Sequence, residues 1–369
     1  MTLDGASPLQ QQSLLVLVRE TAVCGLSTLA VSVVSDRLYF GFWTFPPYKW
    51  LYFNVSQSLA VFYGQMPWHY YLSQGIPLLT TTFLPFTLFG LFKSVSPSGP
   101  SSILQSNTLR TLAFTVITTV GTLSMVSHKE VRFIYPLLPI LHILAAPFLS
   151  SFFIAPPPKD NPADGKPQPT LLRHKFFLAN ILCINVILAI YLSTFHQPAP
   201  IAVVNFLRSE FETLHPDRLD LHQPPTSSDP LFALFLTPCH STPWRSHLVF
   251  PRLRARALTC EPPLDTSPGS AERATYRDEA DRFYDDPAGF LRREMWPAGE
   301  EMPKFVIGFE GIEEVLREVL VDGGDDVAVG GGMNLTRRWS AFNGLFNEDW
   351  RRSGKLVVWD TGVGGSETP

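Results

Sequence analysis

The chain has few cysteines and no excess of basic residues. Its four cysteines, among 369 residues, form no CxxC pair and no Cys/His pair with zinc spacing, so nothing favours a metal site. Lys and Arg number 29 against 33 Asp and Glu, a net charge of -4, which gives no basic face for nucleic acid. We expect no signal peptide at the start of this sequence, because residues 1–12 are polar and lack a basic segment ahead of an apolar run. We expect no metal, no nucleic-acid partner, and insertion into a membrane through the first apolar helix.

Long apolar runs are confined to the part of the chain before about residue 196. Five of them reach or approach the ~20 residues that a membrane-spanning helix needs. They lie near residues 13–35, 76–92, 109–126, 133–154 and 176–195. The sequence therefore predicts about five transmembrane helices within residues 13–196, after a polar segment at 1–12.

The composition changes after residue 196, where Asp, Glu, Arg, Gly and Pro become frequent. Short apolar stretches typical of strands lie at 231–236, 304–308 and 356–359. Residues 311–321 have a helical pattern, whereas the glycine-rich run at 323–332 lacks the strand-turn-helix order of a dinucleotide site and is interpreted as a loop. We expect a mostly α-helical membrane protein with a small α/β domain at 197–369.

The loop charges predict an orientation in the membrane. One short loop is flanked by Lys93 and Arg110, and a proline-rich loop at 155–175 is also basic. Its basic residues are Lys159, Lys166, Arg173 and Lys175. By the positive-inside rule both loops face the cytosol, so the domain at 197–369 and the loop at 36–75 face the lumen.

Two chemical features depend on that orientation. Asn54 and Asn334 each begin a glycosylation sequon on the predicted lumenal side, which supports the orientation only weakly because sequons occur by chance. Cys239 and Cys260 would meet an oxidising lumen, where a disulfide and two free thiols both remain open.

The string HKEVRF, at residues 128–133, places four ionisable side chains at the end of the third predicted span. Such a cluster is costly beside a membrane helix unless its members pair or bind a charged ligand. One interpretation is an interfacial cluster that ends the helix. The other is a site for a lipid-phosphate sugar, in which Lys129 and Arg132 bind the phosphate and Glu130 binds sugar hydroxyls.

An aromatic loop, FYGQMPWHYYLSQGIP at residues 62–77, mixes rings with polar and glycine positions. Composition alone favours an interfacial aromatic belt. The alternative is a carbohydrate platform, on which Tyr63 and Trp68 stack against sugar rings while His69 and Gln74 bond hydroxyls.

Three further segments carry ionisable or polar residues. Asp36 and Arg37, which begin the same lumenal loop, form either a solvated pair or part of a phosphate site. TPCHSTPWRSH, at 237–247, lacks a third orienting residue, which favours packing or acceptor recognition over catalysis. DEADRFYDDP, at 278–287, lacks the turn glycine and final glutamate of a calcium loop, which favours a solvated face.

Several of these strings resemble one family. HKEVRF resembles the HKExRF signature of the dolichol-phosphate-mannose-dependent mannosyltransferases of the endoplasmic reticulum, which share the multi-span GT-C fold. The aromatic loop is similar to that of the members that add the third mannose to the glycosylphosphatidylinositol (GPI) anchor. So are WTFPPYKWLYFNV at 43–55, the two tail strings above and NEDWRRSGKLVVWD at 347–360.

The resemblance implies transfer of mannose from dolichyl-phosphate mannose to the GPI precursor, in an α-1,2 linkage and with inversion. It implies no cofactor, an endoplasmic-reticulum membrane location, and both glycolipids and the bilayer as partners. By this resemblance His128, Lys129 and Arg132 bind the donor phosphate, and Glu130 binds sugar or orients those bases. Asp36, Arg37 and the aromatic loop are expected near the same site.

The resemblance also has a gap. Family members normally begin with more spans and a first lumenal loop whose Asp is the expected catalytic base, and nothing before residue 13 resembles that loop. We therefore expect a truncated GT-C fold, with no catalytic residue in this chain and no activity from it alone.

Two other functions remain open at this point. The same scaffold can mannosylate the N-glycan precursor or add a fourth GPI mannose, although the tail strings favour the third. A non-catalytic membrane protein that binds glycolipid is the alternative from a different class.

Overall fold

A computed structural model of the protein describes residues 8–96, 103–155, 171–297, 301–322, 333–347 and 349–363, without the side chains of 8–11. The proline-rich sequence of the predicted cytosolic loop and the predicted glycine-rich loop at 323–332 lie outside these residues. The chain divides into two compact units. The first comprises Met1–Tyr70 and Gly121–Lys129, and the second Tyr71–Val120 and Glu130–Pro369.

The first unit contains one long helix, α1 (Pro8–Phe40). No proline interrupts the run after Pro8, and the helix ends where Gly41 takes a φ of +76° and donates its N–H to the carbonyl of Arg37. A left-handed glycine at this position is a common helix ending. The chain then forms α2 (Pro46–Leu51), a wide helical turn at Tyr52–Ser56 and a 3₁₀ turn at Leu59–Tyr63.

The apolar part of the second unit is helical. After a wide turn at Tyr71–Gly75 come the helices α3 (Ile76–Thr80), α4 (Leu84–Val95), α5 (Ile103–Ser124), α6 (Leu138–Phe153) and α7 (Lys175–Ile190). From Gly121 onward α5 belongs to the first unit. A 3₁₀ stretch, Val131–Leu137, leads into α6, and a wide turn, Tyr191–Phe195, extends α7.

Four helical stretches of the described residues are long and apolar enough to cross a membrane. They are Gln12–Phe40, Tyr71–Val95, Val131–Phe153 and Lys175–Leu214. The predicted span at 109–126 is helical within α5 but is not among the four, because Arg110 and several threonines lower its hydropathy. The prediction of a multi-pass membrane protein is confirmed, with four qualifying stretches where about five were expected.

The stretch Tyr71–Val95 is broken in the middle. Thr81 has a φ of +49°, and a 3₁₀ turn at Thr81–Phe83 separates α3 from α4. The Asn185 side chain, on α7, accepts from the Thr81 hydroxyl at 3.0 Å and donates to the Thr82 hydroxyl at 2.8 Å. Broken helices in membranes need such partners, because lipid offers none to the freed polar groups.

Helices α4 and α6 cross closely. A Cβ atom added to Gly90 would lie 2.1 Å from the backbone oxygen of Leu144. Beside this contact the rings of Phe89 and Phe148 meet edge to face, with centroids 4.7 Å apart. Small residues at helix crossings of membrane proteins let the backbones approach in this way.

A five-stranded sheet forms the polar half of the second unit. Its strands are β1 (Leu231–Leu236), β2 (Arg254–Ala257), β3 (Phe305–Phe309), β4 (Thr336–Ala341) and β5 (Leu356–Asp360), in the order β2-β1-β3-β5-β4. β1 pairs in parallel with β2 and β3, whereas β5 pairs antiparallel with β3 and β4. The three predicted strands are confirmed within one residue at each end, as β1, β3 and β5.

Helices cover both faces of the sheet. On one face, α8 (Ala199–Leu214) buries Val203, Leu207 and Phe211 against side chains such as Phe232 and Phe305. The other face carries a second apolar cluster that includes Phe283, Trp296 and Trp359. The shorter helices of this half are α9 (Trp244–His247), α10 (Ala271–Ala274), α11 (Glu279–Asp285), α12 (Pro287–Phe290) and α13 (Glu313–Arg317). A mostly helical membrane protein with a small α/β domain is therefore confirmed.

Candidate functional site

Within the first unit, His128 and Lys129 contact the first part of the aromatic loop. The Lys129 ammonium donates to the backbone oxygens of Met66 at 3.1 Å and Val126 at 2.6 Å. The His128 ring nitrogen Nδ1 lies 3.3 Å from the backbone oxygen of Gly64. The backbone N–H of Met66 donates to Ser127 at 3.1 Å, so three contacts fasten the loop to residues 127–129.

Lys129 is the most enclosed member of the motif. Only 3% of it is exposed, and burial lowers the pKa of its ammonium below the ordinary value. A lysine ammonium has three N–H donors, two of which are taken by the carbonyls of Met66 and Val126. In this structure Lys129 therefore holds the loop in place, and its contact with a donor phosphate stays a prediction.

Within the second unit, Glu130 and Arg132 form an ion pair. Arg132 donates from Nη2 to Glu130 Oε1 at 2.7 Å, and 68% of its side chain is exposed. The Arg132 guanidinium also lies 5.8 Å from the ring centre of its neighbour Phe133. The motif thus presents one oriented, accessible guanidinium, which is a group suited to bind phosphate.

The second part of the aromatic loop packs against the residues that follow the motif. A Cβ on Gly75 would lie 3.0 Å from the Tyr71 ring and 3.1 Å from the Ile134 side chain. Tyr71 and Ile134 are fully buried, whereas Gln74 is exposed beside them. The packing fixes the turn Tyr71–Gly75 and leaves the Gln74 amide accessible.

Two other aromatic residues of the loop have exposed rings. Trp68 is 69% exposed, with its neighbour His69 edge-on at 5.6 Å between ring centres. Tyr63 is 47% exposed, and its ring centre lies 6.2 Å from that of His128. Exposed rings beside an accessible polar group fit both an interfacial belt and a carbohydrate platform.

Asp36 and Arg37 lie at the end of α1. The Arg37 guanidinium is 5.9 Å from the ring centre of Trp43, and among the described residues the two side chains form no ion pair with each other. The structure therefore joins parts of the aromatic loop to the motif, and within the described residues of the first unit no hydrogen bond or ion pair links Asp36 or Arg37 to His128 or Lys129. The place of Asp36 and Arg37 near a phosphate stays a prediction.

In the tail string at 237–247, the cysteine has a structural role. Cys239 forms a disulfide with Cys260, with their Cα atoms 6.2 Å apart, and Arg352 donates to the Cys239 carbonyl at 3.0 Å. These two cysteines and Asp278 are the group of potential metal ligands found within the described residues, but a disulfide supplies no thiolate for a metal. A Cys-His nucleophile is excluded for the same reason.

The string at 278–287 forms capped helices. Asp278 accepts from the backbone N–H of Asp281 and begins α11, and Asp286 does the same for Gly289 at the start of α12. Phe283 and Tyr284 are buried beneath these acidic residues. The predicted solvated face is therefore only one side of the segment, because the other side packs into the core.

No sequence pattern indicated Asp229. It is the most enclosed carboxylate among the described residues of the α/β domain around the five-stranded sheet, here called the sheet domain. Its side chain is fully buried and is held by Arg252, with bonds of 2.7 and 3.1 Å, by Arg218 at 3.3 Å and by Thr226. The hydrogen bonds from Arg252 hold the pKa of this carboxyl well below its usual range. Asp229 was missed because its two arginine partners are 11 and 23 residues away, and no local spacing indicates them.

Comparison with known proteins places these residues in one family. Residues 7–249 match the Alg9-like mannosyltransferase family, a range that includes every candidate residue from Asp36 to Arg132. No solved structure matches the chain significantly.

The chain is also similar to curated proteins from fungi and animals. It is 54% identical to "GPI mannosyltransferase 3" of Gibberella zeae over 98% of this chain and 60% of that protein. It is 40% identical to "GPI mannosyltransferase 3" of Aspergillus fumigatus, over 93% of this chain and 47% of the relative. It is 34% identical to human "GPI alpha-1,2-mannosyltransferase 3", over 80% of this chain and 45% of the relative. The chain thus spans between about half and 60% of these relatives, and it belongs to the Alg9-like mannosyltransferase family.

Proposed function

We propose that this chain is part of a mannosyltransferase of the endoplasmic-reticulum membrane that extends the GPI anchor. The donor is dolichyl-phosphate mannose, the acceptor is the GPI precursor, and the product carries a third mannose in an α-1,2 linkage. The relatives' names support the acceptor and the linkage, since the human and mouse proteins are both named GPI alpha-1,2-mannosyltransferase 3. The reaction as proposed uses no cofactor, and the site faces the lumen together with the domain at 197–369.

The reaction requires a displacement at the sugar carbon. An acceptor hydroxyl oxygen forms the new bond to that carbon, its proton passes to a base, and the bond to the dolichyl phosphate oxygen breaks with its electron pair. A group that stabilises the departing phosphate lowers the barrier to this step. We assign no base among the residues of this chain.

The observation that carries the proposal is the geometry of HKEVRF. Glu130 holds the Arg132 guanidinium in an exposed position, where it can donate two parallel hydrogen bonds to phosphate oxygens. Lys129 is taken up by carbonyls, so we assign it to holding the aromatic loop, and His128 supports the same contact at Gly64. Asp36 and Arg37 are kept as further phosphate contacts, and Tyr63, Trp68, His69 and Gln74 as the surface for sugars.

A chimera tests the proposal. The matching segment of the Gibberella zeae relative is replaced by this chain, because the two are 54% identical over 98% of it. The chimera is expressed in cells that lack the third GPI mannosyltransferase, and GPI precursors are identified by mass spectrometry. We expect restored transfer of the third mannose, abolished by Arg132→Ala and strongly reduced by Glu130→Gln.

The control variant is Arg292→Gln, an exposed arginine of the sheet domain that is paired with Glu318. It should leave transfer unchanged. Full activity of both motif variants would show that Arg132 and Glu130 do not bind the donor. Restoration of a fourth mannose or of N-glycan precursors instead would identify a different acceptor.

A further inference from the structure

The sheet domain contains a cavity beside its edge strand β2. Its volume is about 350 Å³, enough for a small organic ligand. Three arginines line it, Arg245 from α9 and Arg254 and Arg256 from β2. One carboxylate, Glu301, lines it as well. Among the described residues, Arg254 is paired with Glu301, and Arg256 is paired with Glu279 outside the lining, so about one positive charge, that of Arg245, is left without an opposite partner.

The three guanidinium groups are oriented by bonds that leave other donors available. Arg245 donates from Nη1 to the carbonyl of Leu253, and Arg256 donates from Nη2 to Glu279 at 2.9 Å. Arg254 donates from Nη1 to the Asp229 carbonyl and to Glu301. A guanidinium has five N–H donors, and the bonds within the described residues use one terminal nitrogen of each. Within the part of the chain that the structure describes, the other donors of these three groups bond to no protein acceptor.

Two of the three arginines form an ion pair with a carboxylate. Arg254 and Arg256 each pair with a carboxylate, at 3.0 Å to Glu301 and 2.9 Å to Glu279. Arg245 is exposed and forms no ion pair within the described part of the chain. Arg245 lines the same cavity as two other arginines, so an anion bound there would give it an opposite charge.

Apolar side chains complete the wall. Pro225 is exposed, and Leu231 and Pro251 are half-buried, so these three lining residues offer apolar surface to a ligand. A bare inorganic ion would make no favourable contact with this apolar side of the cavity. A ligand with an anionic group at one end and carbon-bound hydrogens at the other matches both sides.

We propose that this cavity binds the phosphate group of an organic phosphate ester. Arginine fits phosphate because its planar fork can donate two parallel hydrogen bonds to two oxygens. The ester comes either from a phosphorylated polyol or from a phospholipid headgroup, and both present the same phosphate chemistry. The site is separate from HKEVRF in the sequence and does not depend on the proposed transfer reaction.

The test measures binding to the full chain in a neutral detergent by isothermal titration calorimetry. The ligands are glycerol 3-phosphate and dihexanoyl phosphatidic acid, with glycerol as the uncharged control. We expect one or both phosphate ligands to bind, more weakly at high salt, while glycerol does not. Each of Arg245→Gln and Arg256→Gln should lower the affinity roughly tenfold, because a charge-assisted hydrogen bond is lost.

Arg292→Gln serves as the matched control, since Arg292 is exposed on the same domain and away from the cavity lining. It should bind like the unaltered chain. Tryptophan fluorescence checks that each variant is folded, and if Arg256→Gln is not, Arg245→Gln alone decides, since its side chain is exposed.

The two ligands separate the sources of the phosphate. Tighter binding of glycerol 3-phosphate supports a phosphorylated polyol, and tighter binding of dihexanoyl phosphatidic acid supports a lipid headgroup. Absence of binding by the unaltered chain, or binding by both arginine variants that is as tight as binding by the unaltered chain, overturns the proposal. Because no transfer is measured, this result is independent of the chimera experiment.

Discussion

The apolar residues of α1 and those of β1 lie in opposite surroundings. The most apolar window of α1 has none of its residues buried within the protein, whereas five of the six residues of β1 are buried. Both segments are rich in Leu and Val or Phe, so composition alone does not separate them. The length of the apolar run separates the two segments, because a run of about 20 residues can cross a bilayer and a run of six cannot. For α1 the lipid is the expected apolar surrounding, and for β1 it is the rest of the domain.

This contrast predicts that the two regions depend on different contacts. The sheet domain is stabilised by burial, by enclosed polar pairs and by a disulfide. The helices of the membrane region have few buried residues, so single close contacts should carry much of their specificity. Substitutions in each region can test the contrast, from the largest expected effect to the smallest.

The largest effect is expected at Asp229 in the sheet domain. Asp229→Ala leaves Arg252 and Arg218 without their buried carboxylate and should destabilise the domain by about 3–5 kcal/mol. Thermal unfolding of the full chain, followed by tryptophan fluorescence, measures this loss, since Trp296 and Trp359 lie in the core. Asp217→Ala is the control, because that side chain is 73% exposed and should contribute less than about 1 kcal/mol.

The same carboxylate predicts a pH dependence. Its pKa is held below the ordinary value near 3.9 by Arg252, so the folded state favours the ionised form more than the unfolded state does. The stabilisation is therefore fully present above about pH 4 and is lost as the pH falls toward the folded-state pKa. An acid-unfolding curve that is the same for Asp229→Asn and the unaltered chain would contradict this.

The next largest loss of stability is expected on removal of the disulfide in the sheet domain. Cys239 and Cys260 are 21 residues apart, and a loop of this size corresponds to roughly 3 kcal/mol of stabilisation in the chain-entropy account. We expect the double change to serine, or reduction, to lower the unfolding temperature of the sheet domain. Cys183→Ser should have little effect, since Cys183 is a free, exposed thiol on α7.

In the membrane region the largest effect is expected at Gly90. Gly90→Ala forces α4 away from the Leu144 carbonyl, and overpacking of this kind costs about 1–3 kcal/mol. Gly25→Ala is the matched control, because nothing lies within 4 Å of its added Cβ and alanine favours a helix. Equal thermal stability of the two variants in detergent would show that α4 and α6 do not cross as closely as described.

The smallest effect is expected at Asn185. Asn185→Leu removes both bonds to Thr81 and Thr82, and bonds between membrane helices contribute about 0.6 kcal/mol each on average. Asn180→Leu is the control, since within the described residues the Asn180 amide bonds to the carbonyl of Phe176 in its own helix and to no other helix. If Asn185→Leu lowers the stability as much as Asp229→Ala does, the proposed difference between the two regions is contradicted.

The strands were predictable for a physical reason. β1, β3 and β5 are buried on both faces, so each appears in the sequence as a short, continuous apolar run. The edge strands β2 and β4 were not predicted, because RARA and TRRWSA are polar and exposed in part. Their place is set by pairing with β1 and β5, which is not local in sequence.

The prolines show a similar limit. Pro85, Pro136, Pro139 and Pro147 lie inside the predicted spans, where proline in a helix interior indicates a kink. In the structure Pro85 and Pro139 lie in the first turns of α4 and α6, and Pro136 lies in the 3₁₀ stretch before α6. A first turn tolerates proline, because the N–H that proline lacks would have no partner there. Of these four, Pro147 is the one in the interior of an α-helix.

The sequence by itself determined the membrane helices, the three buried strands and the motif HKEVRF, because each depends on residues that are neighbours in the chain. The tertiary structure alone decided that Lys129 bonds to Met66, that Gly90 meets Leu144, and that three arginines line one cavity. These contacts join segments far apart in sequence. Their partners are selected by packing and by the need to satisfy buried polar groups, which no local pattern records.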